Sequence, residues 1–351
     1  MRQTERFDSL TSLRGLFILV IAFHNTMQFQ PLFNAVPGSA FFTLFGGDLG
    51  NSMFFLLSGF GMAFGYRDRI QAHTLAFQDF LLKRLRKLYP MYLISNFAAL
   101  VLEVVQYGLS AINLQKIVLT VLLRMGGGLI GKSPYNAPTW FLCTLLLCYV
   151  VFFFVSYICK TPTQYRCAIA LGIVWGYFCM TASLEIPFCD SGSGVGLMNF
   201  FIGCALAEGY PLLRDKYRKW AAPAAFAALL FMLYLMLRYG IEIICGNVKV
   251  AFAFCVCPLI FYLAMAQGLC TKILQWKVFV FLGKISSSIF FWHLVVYPGF
   301  CVVWLAPGQT ITERDYLVYF AVMIVWSILS HWILEFAQHH GKKDFQCIGK
   351  L

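Results

Sequence analysis

The chain has 351 residues, of which 60% are apolar, 17% aromatic and only 12% charged. A soluble domain is about 45–50% apolar and about a quarter charged, so a water-exposed globular enzyme is excluded, and no low-complexity or acidic tract supports disorder. A net charge of +12 would point to nucleic acid in a soluble protein, but here it asks which side of a bilayer the cations occupy.

Ten apolar runs are long enough to cross a hydrocarbon core of about 30 Å as helices. They are 13–29, 44–64, 90–108, 138–158, 166–184, 194–210, 219–239, 248–267, 278–304 and 316–338. The expected fold class is therefore all-α, a polytopic bundle of about ten transmembrane helices forming one domain over 1–351. The run 112–130 is weaker, because Lys116 and Arg124 interrupt it and Gly126-Gly127-Gly128 ends it. With the N-terminus inside, twenty of the 27 Lys and Arg fall in cytoplasmic segments and six in outer ones. An eleventh crossing at 112–130 would reverse the basic loop 211–219, against the positive-inside rule. Ten spans with both termini cytoplasmic is the reading that follows.

The first span has no small-x-small cleavage site before Gln28-Phe29-Gln30-Pro31, so it reads as part of the mature chain. It carries Arg14 and His24, ten residues apart and so about 15 Å apart along a helix axis. Ionisable groups inside a span are costly and mark candidate sites. Arg14 reads either as a snorkelling anchor or as a site residue. His24 reads either as a hydrogen-bonded bundle histidine or as a general base, because neutral imidazole takes a proton near neutral pH. Asp48 and Glu103 fall toward the outer ends of their spans, as interfacial carboxylates or as groups that orient a histidine.

The segment 76–90 reads as an amphipathic helix on the inner face, with Lys83, Arg84, Arg86 and Lys87 on it. Clustered cations of this kind attract anionic lipid headgroups or bind a phosphorylated cofactor. Farther on, His293 follows Ser286-Ser287-Ser288 within a span. The serines need only bond back to their own helix, and His293 reads equally as structural or as site-lining. His331 reads as structural. Most of the thirteen cysteines sit in apolar runs as small hydrophobes; Cys189 and Cys245 are the two loop cysteines that could pair. No CxxC, HExxH, GxSxG or phosphate-loop motif occurs, so no metal is expected.

These pieces resemble acyltransferase family 3, the integral-membrane acyltransferases that modify bacterial surface glycans. Arg6 to Leu16 and on to His24 is similar to the family's opening motif, whose Arg and His are ten apart. Phe54-Phe55-Leu56-Leu57-Ser58-Gly59-Phe60 resembles its second-span signature, and the basic helix ending in Tyr89-Pro90 its Arg-x-x-Arg before a proline. Trp140-Phe141-Leu142 and Gly283-Lys284-Ile285-Ser286 through His293 resemble its mid-chain and late motifs. Lys87, Asn51-Ser52, Leu145 and Phe290 depart from the usual residues.

The resemblance implies an acyl-CoA donor, most often acetyl-CoA, and a glycan or lipid-linked sugar hydroxyl as acceptor, in the bacterial cytoplasmic membrane. It implies that His24 is catalytic with Arg14, and that Arg84, Arg86 and Lys87 bind the donor. Asp48, Trp140, Ser286 and His293 are the expected acceptor-side or substrate-binding residues. Membrane lipids and a second copy of the chain are the other partners to expect, and nucleic acid is not. The alternative function is a transmembrane exporter of a glycan or small acylated substrate, since buried His and basic residues also suit a transport path.

Overall fold

The computed structural model describes residues 7–28, 39–123, 134–182, 189–215, 218–239, 247–306 and 309–348. Nearly all of these are helical, and no strand occurs among them. In chain order the helices are α1 (Asp8–Met27), α2 (Ser39–Gln71), α3 (Phe77–Tyr107), α4 (Leu114–Val121), α5 (Trp140–Ile158) and α6 (Pro162–Ala182). They continue as α7 (Ser191–Asp215), α8 (Arg218–Tyr239), α9 (Val248–Met265), α10 (Leu269–Leu274), α11 (Lys277–Trp304) and α12 (Glu313–Ile348). Eight of them, α1, α2, α3, α5, α6, α9, α11 and α12, carry stretches long and apolar enough to cross a membrane. The molecule is a polytopic helical membrane bundle.

The other two expected spans stand where they were predicted, as α7 and α8, but their described residues fall short of the same measure. For α7 the reason is its surroundings. It is enclosed by α2 and α6, so it needs little lipid-facing surface, and it holds five glycines with a buried Asn199. The weak run 112–130 is helical over the eight residues of α4, about 12 Å of helix and far too short to cross; Arg124 and Gly126-Gly127-Gly128 lie outside the described residues.

Helix α3 revises the expectation of a separate surface helix over 76–90. The basic segment and the following span form one continuous helix, with Pro90 inside it. Its 31 residues extend about 46 Å, so its basic first turns project beyond the hydrocarbon core. Helix α9 contains a π turn over Phe252–Val256, two residues before Pro258. A proline withholds one backbone donor, and the wider turn takes up the residue that no longer fits the four-residue repeat.

Helix association in lipid relies on close packing of small residues rather than on the hydrophobic effect. Two crossings use it here. A Cβ on Gly59 of α2 would collide with the carbonyl oxygen of Phe200 on α7, and one on Gly203 with that of Leu56. Gly15 of α1 and Gly283 of α11 face each other in the same way, backbone against backbone. Around these contacts lies an aromatic core that includes the fully buried Phe55, Phe60, Phe200, Phe252 and Phe261. The periphery is apolar too: Phe97 and Val105 on α3, Leu171 and Val174 on α6, and Trp332 and Phe336 on α12 are exposed, as lipid-facing side chains should be.

Candidate active site

Helices α1, α2, α3, α5 and α11 enclose a cavity of about 190 Å³. Its two ends differ in chemistry. At one end stand Arg14 (α1), Arg84 and Lys87 (α3) and Lys284 (α11). Lys87 and Lys284 are exposed and form its mouth, with Arg14 and Arg84 farther in. Toward the other end the lining becomes Ile21, Phe54, Phe141, Leu142, Phe290 and Phe291, with the amide of Asn51 among them. Among the described residues, no acidic side chain lines the cavity.

Arg84 is held by rings rather than by a carboxylate. Its guanidinium lies over Tyr66 at 4.4 Å, with Phe80 and Tyr149 each at 5.9 Å. Its buried Nε and one terminal nitrogen have no hydrogen-bond partner. Burying polar nitrogens unpaired is expensive, and an anion accepting from them would remove that cost. Arg14 shares electrostatic contact with Tyr149 and Arg84. The cavity therefore gathers like charges that no described residue of its lining neutralises, although Glu335 of α12, outside the lining, interacts electrostatically with Lys87.

Arg86 does not line the cavity; it lies on an exposed face of α3. His24 does not line it either. It sits one helical turn beyond Ile21, in the last turn of α1. Gly46 and Gly47 of α2 make room for it: a Cβ on Gly47 would fall 2.5 Å from the imidazole. His24 Nε2 lies 2.7 Å from the side-chain amide nitrogen of Gln28, while its buried Nδ1 has no hydrogen-bond partner. Asp48 is close enough to interact electrostatically with His24, and its carboxylate is 4.0 Å from Lys249 Nζ. That lysine also donates to Ser191 Oγ at 3.1 Å.

The remaining predicted residues separate. Ser286 lines the cavity, and its hydroxyl donates to the Gly283 carbonyl of its own helix at 2.8 Å. Trp140 packs near Gly192 and Phe141 at the start of α5, outside the cavity lining. His293 is fully buried; Nδ1 lies 2.8 Å from the Phe290 carbonyl and Nε2 is 2.9 Å from Asn25 Nδ2. With Nδ1 donating to that carbonyl of its own helix, Nε2 accepts from Asn25 and ties α11 to α1, so both ring nitrogens are occupied. His331 pairs with Glu335 at 3.4 Å, and Glu103 with Lys116 at 3.2 Å. Cys189 lies against Cys179, and Cys245 is outside the described residues.

Sequence reasoning missed Ser58, Tyr149 and Lys284 in the cavity. Lys284 had a signal, a cation within an apolar run; Ser58 and Tyr149 look like ordinary bundle residues until their neighbours on other helices are known. Asn51, Lys87, Leu145 and Phe290, where the chain departs from the motifs it resembles, all line the cavity.

Fold and site define a multi-pass membrane protein with an internal cavity basic at one end and aromatic at the other. The family described as "Acyltransferase domain", acyltransferase family 3, matches residues 7–336, and the chain belongs to it. A protein of Acidianus two-tailed virus named "Putative acetyltransferase ORF330" is 23% identical over 319 residues, covering 86% of this chain and 87% of that protein. No solved structure matches the chain. The protein is thus an acyltransferase, and of the two expected functions, transfer rather than export is the one the family carries.

Proposed function

We propose that the protein moves an acetyl group from acetyl-CoA to a hydroxyl of a surface or lipid-linked glycan, in the bacterial cytoplasmic membrane with both termini inside. The observation that carries this reading is the cavity itself: four cations at one end with no carboxylate among the described lining residues, and an apolar end one helical turn short of His24. Phosphate oxygens of the donor bind Arg14, Arg84, Lys87 and Lys284 through charge-assisted hydrogen bonds. CoA carries the activated acyl group, and the protein supplies position and charge.

The spacing supports the same assignment. Arg14 and His24 are about 15 Å apart along α1. The pantetheine arm has the backbone length of about four extended residues, or about 14 Å. Phosphates at Arg14 therefore carry the thioester toward His24. His24 takes the proton of the acceptor hydroxyl as its oxygen attacks the thioester carbonyl. The C–S bond breaks, the new ester C–O bond remains, and the proton leaves with the CoA thiolate as thiol. During attack His24 becomes cationic in the last turn of a helix, where the macrodipole favours positive charge. Asp48 adds an anion beside it, and the Asn51 amide is the neutral donor available to a developing oxyanion.

The test is mass spectrometry of surface and lipid-linked glycans from cells carrying wild type, no copy, or His24→Ala. Loss of one acetyl group in both the null strain and the point mutant, at normal membrane protein level, supports the reading. A general base contributes about 10²–10⁴-fold, so residual acetylation in His24→Ala should be at most about 1%. Full acetylation in His24→Ala with loss only in the null removes His24 as the base, and unchanged acetylation in all three strains removes the proposal.

A further inference from the structure

We infer that Phe54, Phe141 and Phe290 form a fixed wall that limits the transferred acyl group to a very short chain. This rests on the donor orientation proposed above: phosphates at the cationic end leave the acyl group at the aromatic end. Three rings from three helices line that end. The Phe54 and Phe141 centroids are 6.1 Å apart, and those of Phe141 and Phe290 5.6 Å apart. Both pairs lie in the range where edge-to-face and tilted aromatic contacts are favourable.

The wall is braced from behind. Phe55, with no exposed surface and outside the cavity lining, sits 4.3 Å from Phe141, while Phe291, which lines the cavity beside the wall, is almost equally buried and 5.3 Å from Phe290. Phe55 is itself backed by Gly196 of α7, where an added Cβ would stand 3.0 Å from its ring. Close-packed rings with no space behind them do not yield to an extra methylene without strain. Leu142 and Leu145 fill the flank between the rings and Tyr149. The exposed Lys87 and Lys284 mark one end of the cavity and the three rings the other. An acyl chain that extends past the rings must displace one of them.

One extra methylene in an apolar pocket changes discrimination by about 10–200-fold. The experiment uses purified full-length protein and acyl-CoA analogues in which a methylene replaces the thioester sulfur, with acetyl, butyryl and hexanoyl chains, together with CoA itself. Dissociation constants are compared as ratios, so a partly inactive preparation cancels. Wild type should bind the acetyl analogue at least about tenfold more tightly than the butyryl analogue. Phe54→Ala and Phe141→Ala should shift that ratio toward butyryl by about tenfold or more, and Phe141→Leu, which keeps most of the packing, should fall between. Wild-type ratios near one, or ratios unchanged in all three variants while CoA still binds, overturn the wall. Folded wild type that binds neither CoA nor any analogue overturns the donor assignment instead, and the wall with it.

Discussion

Two arginine clusters lie at the same end of the bundle, and they are built on opposite principles. Tyr66 carries the Arg84 guanidinium on its ring. The next residue, Arg67, lies 3.9 Å over Tyr165 and is ion-paired with Glu208 of α7. Arg166 of α6 approaches the same carboxylate at 3.7 Å. The second cluster compensates its own charge and ties α2, α6 and α7 together. Both clusters rest on aromatic rings, and Arg67 too leaves its buried Nε unpaired, but the first leaves two guanidinium nitrogens of Arg84 unpaired and has no carboxylate among the described residues of its cavity. Charge satisfied within the fold is architecture; charge left unsatisfied in a low-dielectric cavity is capacity to bind an anion.

The comparison is broken or sharpened by substitutions on each side of it. Arg84→Ala should raise the KM for acetyl-CoA about 10–100-fold, the worth of one or two charged hydrogen bonds, with the melting temperature unchanged or higher. Binding measured against ionic strength should also become less salt-dependent in that variant. Glu208→Gln should do the reverse, costing about 1–3 kcal/mol of stability in a thermal or denaturant assay while KM stays within about twofold. If Glu208→Gln raised KM as much as Arg84→Ala does, the separation of the two clusters would collapse. The smallest effect is expected at the Glu103–Lys116 pair, both partly exposed. Lys116→Met should change stability by no more than about 1 kcal/mol and leave the donor affinity as in wild type.

The spans were legible because lipid imposes a simple rule on every helix that crosses it, and composition alone reveals such stretches. Helix α3 was misread at its start because Pro90 looks like a boundary, whereas a proline in a long helix costs one donor and can be carried by its neighbours. The motifs singled out Arg14, Arg84 and Ser286 one by one, but their meeting on one cavity depends on distances between helices that the sequence does not contain. The separation of Arg86, Trp140 and His293 from that cavity was invisible for the same reason. Each lies within a residue or two of cavity-lining neighbours, and a helix turns about 100° per residue, so adjacent residues face different partners.

The Gly15–Gly283 crossing has a consequence for how the protein is made. Its two halves are 268 positions apart, and at about 5–20 residues per second the ribosome needs roughly 15–50 s to travel from one to the other. Helix α1 therefore enters the membrane long before the helix that covers its glycine face exists. The cavity is absent throughout that interval, because Lys284 and the late serines arrive with the missing wall. Maturation of the site is a late event in biosynthesis, completed when the last third of the chain returns to the first helix.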